Sequence, residues 1–174
     1  LSTRAFKGTP IGELQTQAYS TYVTSAAGNT APSFQIGVDR TGTDPFPPEY
    51  QGRLVFVPGQ SSTQPIDIDE WQNWNLLDPD HGKAWGLTKD FNNVDDDRCR
   101  LGTEWCSLEE ILGIFPGLRI NPTGPSPDND GAGWGIIGMK VGSGEGAVNA
   151  NVDAVTVKST NDSATTVFNF EPSS

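Results

Sequence analysis

In its 174 residues this chain has one methionine, one histidine and two cysteines, and each scarcity removes some chemistry from consideration. A Ser-His-Asp triad would have to run through His81, and no Gly-x-Ser-x-Gly elbow surrounds any serine. Two cysteines and one histidine are too few soft ligands for a closed zinc site. No apolar run approaches the roughly 18 residues of a membrane-spanning helix. Cations are also scarce, with 11 Lys plus Arg against 22 Asp plus Glu and a formal net charge of -11. Nucleic-acid phosphates and anionic membrane surfaces therefore repel the chain at long range, so we expect no nucleic-acid partner and no membrane insertion.

What is present is glycine, proline and short alternating runs. Twenty Gly and 13 Pro, with few helical patterns, suit many short strands joined by turn-rich loops in one domain covering residues 1–174. The tail from Gly131 to Pro172 reads as three closing strands, in the alternating runs Trp134 to Val141, Val152 to Val157 and Thr166 to Phe170. Towards the N-terminus, Gln17 to Thr24, Ser33 to Asp39 and Gly52 to Pro58 read as strands, with Phe34, Ile36 and Val38 pointing inward. In the stretch Ile66 to Leu77, Trp71 and Trp74 fall on opposite faces if it is one regular strand. One helix is expected, opened by the capping box Ser107-Leu108-Glu109-Glu110 and ended by Phe115, before Pro116 and Gly117. Together these elements predict an all-β, jelly-roll-like antiparallel sandwich with one short helix and long loops.

Cys99 and Cys106, close together in an otherwise cysteine-free chain, are expected to close a small disulfide loop. That pairing points to an oxidising compartment, and the start at Leu1 to a processed, secreted segment. The succession KGTPIGEL, AYSTYVT, APSFQIGVD, GRLVFVP, WQNWN, SLEEILGIFPGLRI, GWGIIGMKVGSGEGAVNANVDAVTV and VFNFEP resembles a family of secreted bacterial β-sandwich domains found near surface or adhesion modules. That family is similar in architecture to carbohydrate-binding modules and lectin-like jelly rolls. The resemblance implies a further strand just before Leu1 and aromatic residues where this chain has Gly144 to Val148. Without that first strand, an open sheet edge would invite a partner strand.

Three functional readings follow. In the first, exposed indoles stack on sugar rings while neighbouring amides bind hydroxyls, with Trp71, Asn73, Trp74 and Trp85 as the ligand-binding set. The partner is then a polysaccharide or cell-surface glycan and the protein is a secreted, non-catalytic module. In the second, the chain is a structural or adhesive subunit that self-assembles through its open edge. Calcium would stabilise it, held by oxygens of Asp128, Asp130 and Asp153, although Asp128 to Gly131 lacks the downstream glutamate of an EF-hand. In the third, a pair of carboxylates drawn from Asp67, Asp69, Glu70, Glu104, Glu109 and Glu110 hydrolyses a glycan. No cofactor is required by the first reading. Against each stands the plainer alternative of buried core tryptophans and solvated turn aspartates.

Overall fold

The computed structural model describes residues 2–3, 6–28, 30–40, 52–60, 64–78, 83–88, 98–121, 137–140, 147–160 and 165–168. These residues form ten strands, one short helix and a 3-10 turn. The fold class is all-β, with two antiparallel sheets as a sandwich requires. The chain divides into two compact units, one for each sheet.

The first unit holds the sheet of order β1-β8-β3-β4-β6, with β7 paired to β3. Its strands are β1 (Ser2–Thr3), β3 (Ser33–Asp39), β4 (Arg53–Phe56), β6 (Trp85–Leu87), β7 (Arg119–Ile120) and β8 (Ile137–Lys140). Strand β3 coincides with the stretch its alternation predicts, and Phe34, Ile36 and Val38 are fully buried. Register places Phe34 opposite Phe56 and Phe56 opposite Trp85, so three aromatic rings lie in one row across three strands. The Phe56 and Trp85 rings meet at 5.4 Å and 68°, an edge-to-face pairing that adds to the gain from burying them. On the other face of β3, Asp39 is fully buried and accepts a hydrogen bond from Arg119 Nε at 2.8 Å. Such a buried carboxylate is tolerable because its charge is paired.

Helix α1 (Leu108–Ile114) begins where the capping box places it. Ser107 Oγ accepts from the Glu110 backbone N–H at 3.1 Å, and Glu110 Oε2 accepts from the Ser107 N–H at 2.8 Å. The C-cap is Phe115, immediately before Pro116. Just upstream lies the disulfide between Cys99 and Cys106, which fastens a loop along the free side of β6. Trp85 and Cys106 exchange backbone hydrogen bonds of 3.0 and 2.9 Å. Leu87 donates to Cys99 at 2.7 Å and accepts from Leu101 at 2.8 Å. The disulfide loop therefore covers a sheet edge that would otherwise present unpaired backbone groups.

The second unit holds the sheet of order β10-β9-β2-β5: β2 (Leu14–Ala26), β5 (Trp71–Asn75), β9 (Val148–Ser159) and β10 (Thr166–Phe168). Its buried face carries Gln17, Tyr19, Thr21 and Val23 from β2, Trp74 from β5, and Val155 and Val157 from β9. The Tyr19 hydroxyl donates to the Pro32 carbonyl at 2.8 Å, and the Trp74 indole N–H donates to Thr21 Oγ1 at 2.9 Å. Residues 66–70 are not strand, because Asp69 turns with φ of 62°. Gln72 ties Pro65 and Asp67 to β5, its side chain donating to the Pro65 carbonyl at 2.8 Å and accepting from the Asp67 N–H at 2.8 Å, while the Asp69 N–H donates to the Val23 carbonyl of β2 at 2.8 Å.

Two substitutions test this packing. A Cβ added at Gly86 would lie 2.9 Å from Leu101 Cα and 3.2 Å from Trp105 Cζ3. Gly86→Ala must therefore push the disulfide loop off β6, and we expect a loss of about 1–3 kcal/mol in urea unfolding. Gln17 is fully buried, and neither polar atom of its side chain meets a hydrogen-bond partner. Gln17→Met keeps the length and removes the unsatisfied amide, so its unfolding midpoint should rise by the equivalent of about 1–3 kcal/mol. A fall would mean that the amide is satisfied in solution.

Candidate functional site

A strand alternates its side chains, so burying Trp74 on β5 forces Trp71, Asn73 and Asn75 onto the opposite, exposed face. The five residues run exposed, buried, exposed, buried, exposed. Trp71 keeps 51% of its surface in solvent, against 1% for Trp74 and 2% for Trp85. This corrects the expected binding set. Trp74 is held inward by its bond to Thr21 and Trp85 by the Phe34 and Phe56 rings, so neither can stack on a ligand. Trp105 is half-buried beside Gly86, and Trp134 lies outside the described residues.

Register completes the exposed face. Trp71 lies opposite Tyr22 of β2, and Tyr22 lies opposite Asn151 of β9. The next row is Asn73, Ser20 and Asp153, and the third is Asn75, Ala18 and Thr156, with Val167 of β10 beyond Thr156. Residues directly opposite in an antiparallel pair share a face, and neighbouring strands lie about 4.8 Å apart. Each three-strand row is thus about 10 Å wide, and successive rows stand about 7 Å apart along the strands. The Trp71 and Tyr22 ring centroids are 5.6 Å apart at 57°, a tilted pairing that leaves half of the indole in solvent. Ser20 Oγ donates to Asn73 Oδ1 at 2.6 Å, which fixes the Asn73 amide with its nitrogen end directed away from that bond. Asn149 and Asn151 are also exposed.

Asp153 has a structural task. Between the pairs Ala18–Thr156 and Ser20–Asp153, Tyr19 of β2 faces two residues of β9, Ala154 and Val155, which makes a β-bulge. Ala154 sits in the left-handed region with φ of 50°. Asp153 Oδ1 accepts the Ala154 N–H at 2.6 Å, and Thr156 Oγ1 donates to the Ala154 carbonyl at 3.0 Å. The other expected calcium ligands, Asp128 and Asp130, lie outside the described residues. Among the described residues no three of His, Cys, Asp and Glu gather where they could hold a metal.

The face can therefore do two things chemically. It offers one apolar platform, Trp71, and a field of amide and hydroxyl groups, from Asn73, Asn151, Ser20 and Tyr22, at spacings of a few ångströms. Tyr22, Ser20 and Asn151 escaped the sequence reading because the pairing that places them beside Trp71 joins distant segments. The signal available was the alternation of β2, which separates Ser20 and Tyr22 from the buried Tyr19, Thr21 and Val23.

The bulge makes a prediction of opposite signs at adjacent positions. A left-handed alanine costs about 1–2 kcal/mol, while glycine loses about 0.5–1 kcal/mol more backbone entropy on folding. Ala154→Gly should therefore stabilise by about 0.5–1 kcal/mol, whereas Asp153→Ala should destabilise by about 1 kcal/mol, both read from denaturant midpoints.

No protein-family model, curated protein or solved structure matches this chain.

Proposed function

We propose that the protein is a secreted, non-catalytic module that binds polysaccharide through the exposed face of the β10-β9-β2-β5 sheet. The observation that carries this reading is Trp71, a half-exposed indole in a row with Tyr22 and Asn151 and one step from Asn73. A sugar ring has an apolar face of axial C–H bonds and a polar rim of hydroxyls. An indole beside fixed amides complements both. The site is now Trp71, Tyr22, Asn73 and Asn151, in place of the four residues first expected.

Secretion is part of the proposal. The Cys99–Cys106 disulfide supports it, since such bonds persist in oxidising compartments, and no helix among the described residues is long and apolar enough to cross a membrane. Kinship with the secreted bacterial β-sandwich family also belongs to the proposal. The reading needs no cofactor, with calcium at Asp128 and Asp130 left as an optional stabiliser. Assembly by strand addition draws no support from β5 or β6, which are bonded to residues 64–67 and to the disulfide loop.

The test is retention of the protein on a panel of insoluble and soluble polysaccharides, with and without calcium, and with the supernatant assayed for released sugar. We expect retention without release on at least one polymer. Trp71→Ala should weaken it at least tenfold, about 1.4 kcal/mol, with only a small fall in thermal midpoint because half of the indole is already in solvent. Retention unaffected by Trp71→Ala would refute this face as the site, and release of sugar would refute the non-catalytic reading.

A further inference from the structure

The negative charge of the chain is unevenly divided. The unit that contains the candidate face, residues 13–33, 57–84 and 141–174, has ten Asp and Glu against two lysines, Lys83 and Lys158, a formal -8 of the chain's -11. Asp69 and Glu70 are exposed and immediately precede Trp71 in the chain, Asp67 is exposed and accepts from the Gln72 side-chain amide at 3.0 Å, and Asp153 lies in the adjacent row with Ser20 and Asn73. Lys158 pairs with Thr16, beyond the Thr156 row and at the end of the face away from Trp71. The indole is thus preceded along the chain by carboxylates and shares its face with Asp153, with no lysine or arginine among the described residues of the three rows.

Resting on the glycan-binding reading, we infer that this face selects glycans by charge, taking chains of 2-amino sugars whose amines are free in preference to their N-acetylated or uronate counterparts. An ammonium group gains from both features at once. It is attracted to the face of an indole, best of the aromatic rings for this purpose, and to carboxylates within a Debye length, about 8 Å at physiological salt. N-acetylation removes the charge and keeps the ring. A uronate keeps the ring and brings its own negative charge into the field of Asp69, Glu70 and Asp153, which opposes binding. Hydrogen bonding by Asn73 and Asn151 is common to all three ligands, so it sets affinity for a sugar chain without setting its charge.

The experiment is a calorimetric titration with glucosamine oligomers, N-acetylglucosamine oligomers and galacturonate oligomers of equal length, at low and at high salt. Short oligomers limit the general attraction of a negatively charged protein for a cationic polymer. The expected order is glucosamine at least about tenfold tighter than N-acetylglucosamine, with galacturonate weakest, and the ratio should shrink as salt is added. Asp69→Asn combined with Glu70→Gln should narrow the ratio several-fold, and Trp71→Ala should weaken the glucosamine oligomer at least tenfold. Equal or reversed affinities, a ratio that survives the paired substitution, or glucosamine binding indifferent to Trp71→Ala would overturn the inference. Trp71-dependent binding of N-acetylated or uronate oligomers in the wrong order would overturn the charge selection alone and leave the glycan reading standing. An absence of Trp71-dependent binding to any of these oligomers or to the wider polysaccharide panel would overturn both.

Discussion

The candidate face depends on one pairing, that of β2 with β9, which runs from Leu14 opposite Ser159 to Ala26 opposite Val148. Side chains on a strand have a period of two, so a one-residue slip would exchange the buried and exposed sets along the whole length. The pairing contains three register shifts, and the one between Ala18 and Ser20 re-phases the two strands so that Val155 and Val157 share the buried face with Tyr19 and Val23 while Asn151 stays out with Ser20 and Tyr22. The shift at Ala154 is the one that brings Asp153 opposite Ser20, and it is held by the Asp153 carboxylate and the Thr156 hydroxyl. A structural device in β9 thereby determines what stands beside an indole on β5. Because the paired strands come from opposite ends of the chain, this ladder has a large loop-closure cost and is expected to form late in folding.

Burial decides which tryptophans are available for binding. Trp85 completes the row begun by Phe34 and Phe56, and Trp74 meets Thr21 across the β5–β2 pair, so both indoles contribute to the core of their own unit. Trp71 is left in solvent by the same alternation that draws Trp74 in. An exposed indole forgoes the hydrophobic stabilisation that a buried one provides. The disulfide loop serves the other sheet, where its backbone completes the hydrogen bonding of β6 and its Leu101 and Trp105 close over Gly86.

Features specified by a few adjacent residues could be read directly from the sequence. The β3 alternation, the capping box at Ser107, the helix end before Pro116 and the Cys99–Cys106 pairing all depend on short spacings, and the structure has each of them. The opposite orientation of Trp71 and Trp74 was also legible from parity, but which of the two faces water was not, since that is decided by the sheet they join. Strand β6 escaped notice because Trp85-Gly86-Leu87 is only three residues long and has a glycine at its centre. Two of the four expected ligand residues, Trp74 and Trp85, proved to be core. Tyr22 and Asn151 stand beside Trp71 through register, and a single sequence does not disclose register between segments this far apart.

The most direct test of the central claim is a two-dimensional NMR titration of the labelled protein with an oligosaccharide taken from a polymer that retains it. Binding at the proposed face predicts that the Trp71 indole N–H and the side-chain amides of Asn73 and Asn151 shift together along one saturable curve, while the indole signals of Trp74, Trp85 and Trp105 stay in place. Shifts centred on Trp105 and the disulfide loop, with the Trp71, Asn73 and Asn151 signals unmoved, would contradict the account and move the site to the other sheet.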